Sequence, residues 1–237
     1  MTAIPSRDLC GRVAEAYRGA TPLDVDNKYV LLTNGTVLTD NSSMLAIVTA
    51  ELAQANGYQR VAYSPSASSY DSGQSRQELP GTNAAFNASG GALQYDTAIV
   101  ISSASATANK LVTTINDASD RLEFDSDPGL VDGDKVVITA DIGGSVPSEL
   151  LDSGNPRLLF VVGSGNSGGT WWIQLALTEG GTAIVFSGGS TPIRVRYANG
   201  RFDWLNIYGS TTIADGTTDT LQIALNWGSG TADVNAA

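Results

Sequence analysis

Four runs, Val136–Thr139, Leu158-Leu159-Phe160-Val161-Val162, Trp171-Trp172-Ile173-Gln174-Leu175-Ala176-Leu177 and Ile193-Arg194-Val195-Arg196-Tyr197, are short, apolar and rich in β-branched and aromatic residues. Each is bounded by Gly, Asp, Asn or Ser. They are too short for an ordinary helix, and their composition suits a pleated, half-buried backbone. With Leu122-Glu123-Phe124 before them and Ala183–Phe186 among them, they predict a small antiparallel β unit between Leu122 and Tyr197.

Outward from that stretch the signals stay mostly β. Downstream, Trp204–Tyr208 and Thr220–Trp227 read as strands, with Asp215-Gly216 as a turn and Gly228–Ala237 as a small polar tail. Upstream, Thr97–Ser102 and Lys110–Ile115 read as strands joined by the small residues Ser103 to Asn109, which mark a boundary near residue 110. Ser64–Glu78 is polar and aperiodic, an exposed excursion after which strand structure resumes near Phe86. Lys28–Thr33 and Thr36–Thr39 flank Asn34-Gly35, the dipeptide of a type I′ turn, and predict a β-hairpin. Two short helices are expected: Pro5–Arg18, with Leu9, Val13, Ala16 and Tyr17 on one face, and Met44–Asn56, with Leu45, Val48 and Leu52.

Composition narrows the chemistry. A chain of 237 residues exceeds the roughly 100 to 200 that one core usually serves, which favours two domains. The hydrophobic share of 42% is enough to offset the entropy of folding. A formal net charge of -11, with Lys and Arg scattered, offers no basic stripe for phosphates, so nucleic acid is not an expected partner. No run approaches the roughly 20 apolar residues of a membrane span, and Met1–Leu9 lacks the apolar run of a signal peptide. There is no His, which removes Ser-His-Asp, Cys-His and His-metal chemistry. The single Cys10 beside the first helix's apolar stripe reads as an inert thiol and permits no intrachain disulfide.

No catalytic, cofactor or metal residues are nominated. Asp125, Asp127, Asp132 and Asp134 cluster around Gly129 and Gly133 but fit no calcium loop, and turns favour Asp for local reasons. Gly163–Gly169 leads into a strand and lacks a Lys-Ser/Thr ending, so it reads as a flexible turn and not a phosphate loop. The candidate contact residues are Trp171, Trp172, Arg194, Arg196 and Tyr197. Adjacent tryptophans in a strand face opposite ways, and the outward ring can stack on a sugar or cover a neighbouring subunit. Arg194 and Arg196 share a strand face near Arg201, which is either a solvated face or a dock for an acidic neighbour.

Two sets of residues carry a resemblance. Gly57-Tyr58-Gln59-Arg60, a polar loop, and then Phe86-Asn87-Ala88-Ser89-Gly90-Gly91-Ala92-Leu93-Gln94-Tyr95-Asp96 resemble small virion proteins of tailed bacteriophages, in which a helix leads into a jelly-roll-like β-domain. Asp132–Thr139, Val146-Pro147, Trp172–Ala176 and Gly181–Val185 resemble, in order and spacing, a module inserted in phage tail fibres. Leu158–Val162 departs from that module's usual Tyr-Tyr-Val strand, and Val146 from its usual Leu.

The resemblance implies a mainly β fold: a jelly-roll-like β-sandwich assembly domain of residues 1–110 and 200–237, bearing the two N-terminal helices, and an inserted antiparallel β-domain of residues 111–199. It implies a non-enzymatic structural protein of the virion, assembled in the host bacterial cytoplasm. The expected role is a tail-appendage component (fibre, collar or baseplate), a homo-oligomer bound to other virion proteins and serving assembly and host attachment. A capsid decoration or cement protein on the phage head is the alternative. From another class, the insert is a carbohydrate-binding module for host surface glycan, with Trp172 or Tyr197 as its platform. A depolymerase is disfavoured, because no solenoid-length repeat is present.

Overall fold

The structure, a computed structural model, describes residues 2–5, 9, 28–64, 69–71, 76–80, 83–103, 107–221 and 224–228. The fold is mainly β, built from antiparallel sheets. It divides into two compact units: residues 1–106 with 200–237, and residues 107–199.

The first unit begins with β1 (Thr2–Pro5), β2 (Lys28–Thr33), α1 (Met44–Ala50), β3 (Val61–Tyr63), β4 (Ser69–Asp71), β5 (Arg76–Pro80), β6 (Ala84–Asn87) and β7 (Leu93–Ser102). The second contains β8 (Asn109–Val112), β9 (Thr114–Asn116), β10 (Arg121–Phe124), β11 (Lys135–Ala140), β12 (Leu151–Asp152), β13 (Asn155–Pro156), β14 (Leu158–Ser167), β15 (Thr170–Ala176) and β16 (Ile193–Tyr197). The chain then returns to the first unit with β17 (Arg201–Ile213), β18 (Thr218–Leu221) and β19 (Ala224–Gly228).

In the first unit a five-stranded sheet runs β1-β17-β7-β2-β3, beside the smaller sheets β18-β6 and β19-β5-β4. β7 is buried almost throughout, and Ala98, Ile99, Val100 and Ile101 have no exposed surface. Alternation sends Ile99 and Ile101 to one face, where they pack with Leu31, Leu38, Ile47, Phe202 and Leu205. The opposite face buries Val30, Leu32, Val100 and Trp204. Each such fully buried side chain contributes about 1.5–3 kcal/mol from burial. Helix α1 supplies Ile47 and Val48 to the packing, and its first turn is capped by Ser43 Oγ, which accepts from Ala46 N at 3.2 Å.

Several sequence expectations are corrected here. Thr36–Thr39 is not a strand, because both edges of β2 are taken by β3 and β7; Leu38 instead packs into the core under α1. The helix expected over Met44–Asn56 stops at Ala50, where Glu51 adopts extended geometry and bridges to Thr33. The expected excursion Ser64–Glu78 contains β4 and the start of β5, with β5 paired to the distant β19. The expected helix Pro5–Arg18 lies outside the described residues except for Pro5, which ends β1, and Leu9; Cys10 and the tail 229–237 also lie outside them.

The second unit is a closed barrel. Its sheet runs β8-β16-β11-β14-β15-β10-β9, and the two ends of that order, β8 and β9, are consecutive pieces of one segment, 109–116, interrupted only at Thr113. Thr113 N donates to Glu123 O at 2.8 Å, so the segment pairs with β16 on one side and β10 on the other. Closure pairs the two ends of the strand order through one continuous segment. One core fills the interior, drawing Val112, Leu122, Val136, Leu159, Ile173 and Val195 from successive strands. Ala183–Phe186, expected as a strand, runs beside β15 without regular pairing: Ile184 N donates to Leu175 O, and Phe186 turns inward while its N donates to Asp120 Oδ1.

Candidate functional site

Strand β15 divides the tryptophan pair between the barrel's two surfaces. Trp171 packs against the core, while Trp172 lies on the outer face, directly across from Gly165 on β14 and Glu123 on β10. The indole rests on a bare backbone: a Cβ added at Gly165 would come within 2.8 Å of Trp172 Cζ2. The Arg121 guanidinium sits 3.8 Å from the ring centroid, a cation–π contact. Beside it Asn116 Nδ2 donates to Glu123 Oε1 at 2.7 Å, and Gln174 Nε2 donates to Ser119 O at 3.0 Å. The indole is thus half-buried, engaged by both Gly165 and Arg121.

That packing revises the reading of Gly163–Gly169. The strand continues to Ser167, and only Gly168 and Gly169, both at positive φ, form the turn between Ser167 and its partner Thr170. Glycine within β14 makes room for the ring of Trp172.

The other contact candidates are committed inside the chain. Arg194 Nε donates to Asp141 Oδ2 at 2.7 Å and its Nη1 to Asn109 Oδ1 at 3.1 Å. Arg196 is 7% exposed and donates to Thr139 Oγ1 at 2.7 Å. The pair is therefore neither a solvated face nor an open basic patch. Tyr197 faces the core, 2% exposed, and its hydroxyl donates to the Pro128 carbonyl, so it offers no platform to a sugar. The four clustered aspartates divide between turn bonds and the surface. Asp127 accepts from Gly129 N, Asp134 accepts from Val131 N and Asn199 Nδ2, and Asp125 accepts from Ser126 Oγ. Asp132, with Glu179, lines a shallow hollow of about 280 Å³.

Two polar clusters in the first unit escaped the sequence reading. Glu51, Tyr58 and Arg60 are buried together: Arg60 Nε and Nη2 reach the two Glu51 oxygens at 2.8 and 2.6 Å, and Tyr58 donates to Glu51 at 2.9 Å while accepting from Leu32 N. Burial, with the Glu51 charge as second cause, pushes the Tyr58 hydroxyl well above its usual pKa.

The second cluster is made by a β-bulge in β17, between Phe202 and Trp204, at Asp203. Asp203 Oδ2 accepts from Ser102 Oγ at 2.5 Å and from Lys28 Nζ at 2.9 Å, and Lys28 also donates to Ser102 Oγ at 2.7 Å. A Ser–Lys nucleophile would need a neutral lysine accepting the serine proton. Here the lysine donates, the serine proton points at a carboxylate and Ser102 has no exposed surface, so the cluster works as a staple. The legible hint was an acid set between Phe202 and Trp204 in an apolar strand. Its partners are 175 and 101 residues away.

Compared with family models, curated proteins and solved structures, the chain matches none of them.

Proposed function

We propose that the chain is a non-enzymatic structural protein of a tailed-phage particle, a tail-appendage component in which the first unit serves assembly and the barrel serves attachment. In this reading the five-stranded sheet and the smaller sheets beside it are a jelly-roll-like sandwich, repeated by symmetry in the particle with other virion proteins as neighbours.

The observation that carries the proposal is how the barrel is spliced in. The last strand of the first unit before the barrel, β7, ends at Ser102 and the first strand after it, β17, begins at Arg201, and these two residues are direct partners. The Lys28–Ser102–Asp203 staple closes the sheet at that point. A self-contained barrel is thereby added without interrupting the host sheet, the arrangement expected of an attachment module on an assembly scaffold. The commitment of Arg60, Glu51, Arg194 and Asp203 to intrachain bonds further supports a structural role over a catalytic one.

Immunogold labelling of purified phage particles with antibody to this chain tests the proposal. Label on the tail or its fibres is expected. Label over the head would replace it with the capsid-decoration reading, and particles without label would overturn both.

A further inference from the structure

Three Asn-Gly pairs occur in the chain: Asn34-Gly35, Asn56-Gly57 and Asn199-Gly200. At such a pair the glycine nitrogen, unhindered by a side chain, can attack the asparagine Cγ. The requirement is an amide free to swing over the backbone into an attack geometry.

The fold treats the three differently. Asn199 is held at both ends of its amide, with Nδ2 donating to Asp134 Oδ1 at 2.6 Å and Oδ1 accepting from Lys135 N at 2.8 Å. Asn56 Nδ2 donates to Ala92 O at 3.2 Å, and its amide lies so close to Gly91 that a Cβ there would fall 2.7 Å from Nδ2. Asn34 is exposed in the irregular segment after β2, and its amide makes no hydrogen bond among the described residues. Gly35 has open space where a Cβ would stand and a φ of +73°, and Val37 beyond it is 93% exposed.

We infer that Asn34 is a self-modification site, the position where the folded chain converts asparagine to a mixture of aspartate and isoaspartate. The Gly35 N–H first gives up its bond to Asp96 Oδ2; the nitrogen then bonds to Asn34 Cγ, its proton passes to solvent base, and the side-chain nitrogen takes a proton from solvent and leaves as ammonia. Water then opens the cyclic imide at either carbonyl, giving aspartate or the isomer whose backbone runs through Cβ. No oxidant or cofactor enters the balance. The product adds a negative charge close to Asp96, whose Oδ2 accepts from Gly35 N at 2.8 Å, in a chain already at -11.

The test is peptide mapping by mass spectrometry, with enzymatic methylation of isoaspartate, on the full chain incubated folded at mildly alkaline pH and in parallel in denaturant. In the folded protein the Asn34 peptide should convert at least about tenfold faster than the Asn56 and Asn199 peptides, with the three rates drawing together on unfolding. Asn34→Ser should remove most of the methylation signal from the folded protein. Equal or faster conversion at either of the other pairs, or no conversion at Asn34, would overturn the inference.

Discussion

Asp203 sits in an otherwise apolar strand because the bulge beside it turns its carboxylate onto Lys28 and Ser102. Glu51 and Arg60 solve the same problem in a drier place, with neither side chain exposed. Removing one member of a buried pair strands the other charge, so Arg60→Met should cost about 3–5 kcal/mol in urea unfolding. A cost below about 1 kcal/mol, the range of exposed pairs, would show that the pair is not dry. The tyrosines give a second residue-scale expectation. Burial pushes Tyr63 up to about 12 and raises Tyr58, Tyr95 and Tyr208, with Tyr95 held further by its bond to Asp219. Unfolded tyrosine ionises near pH 10, so above that pH the unfolded chain releases protons that the folded chain retains. The stability Tyr63 contributes is complete below pH ~10 and is lost as pH rises through about 12, and the loss from Tyr58, Tyr95 and Tyr208, whose hydroxyls are also raised, adds to it at alkaline pH. A phenolate absorbance titration should find them silent past pH ~10 and emerging together with loss of the β circular-dichroism signal. Full titration near pH 10 in a folded protein would contradict their burial.

Among the elements, β14 and β15 depend on each other through Trp172. Gly165→Val would put a side chain where the indole lies, at the 2.8 Å approach seen for a bare Cβ, and should cost about 1–3 kcal/mol while red-shifting tryptophan emission. An unchanged spectrum would mean the ring does not rest there. For α1, Ser43→Ala removes the cap to Ala46 N and should lower stability by about 1 kcal/mol, read from the denaturation midpoint. Strand identity along the barrel was legible because β11, β15 and β16 are short apolar runs rich in β-branched and aromatic residues. The hairpin expected at Asn34-Gly35 failed for a nonlocal reason: β2 already had β3 and β7 as neighbours. The strands within Ser69–Pro80 were missed in the same way, since part of their pairing comes from β19, more than a hundred residues later.

For the molecule as a whole, closure of the barrel has a consequence that can be measured. The segment 107–199 holds its own core, and its sheet takes no strand from the other unit. Expressed alone, it should fold cooperatively, giving a single thermal transition and dispersed amide resonances. A fragment that stays unfolded would mean that the host unit supplies part of its stability. In sequence the barrel appeared only as seven short apolar runs, and nothing in them said that the first, Lys110–Ile115, would pair at both ends of the sheet. That depends on one residue, Thr113, interrupting a strand so that its halves face different neighbours.

By itself, the sequence determined the mainly β character of the chain and the exclusion of histidine chemistry, because composition and period-two alternation are local properties. The opposite orientations of Trp171 and Trp172 follow from the same alternation. Only the tertiary structure decided what those side chains meet: Arg121 and Gly165 over Trp172, Asp141 on Arg194, Pro128 on Tyr197, Asp203 on Lys28. Ion pairs and ring contacts form between residues distant in the chain, and their partners are chosen by strand register and by a single bulge, neither of which leaves a local trace.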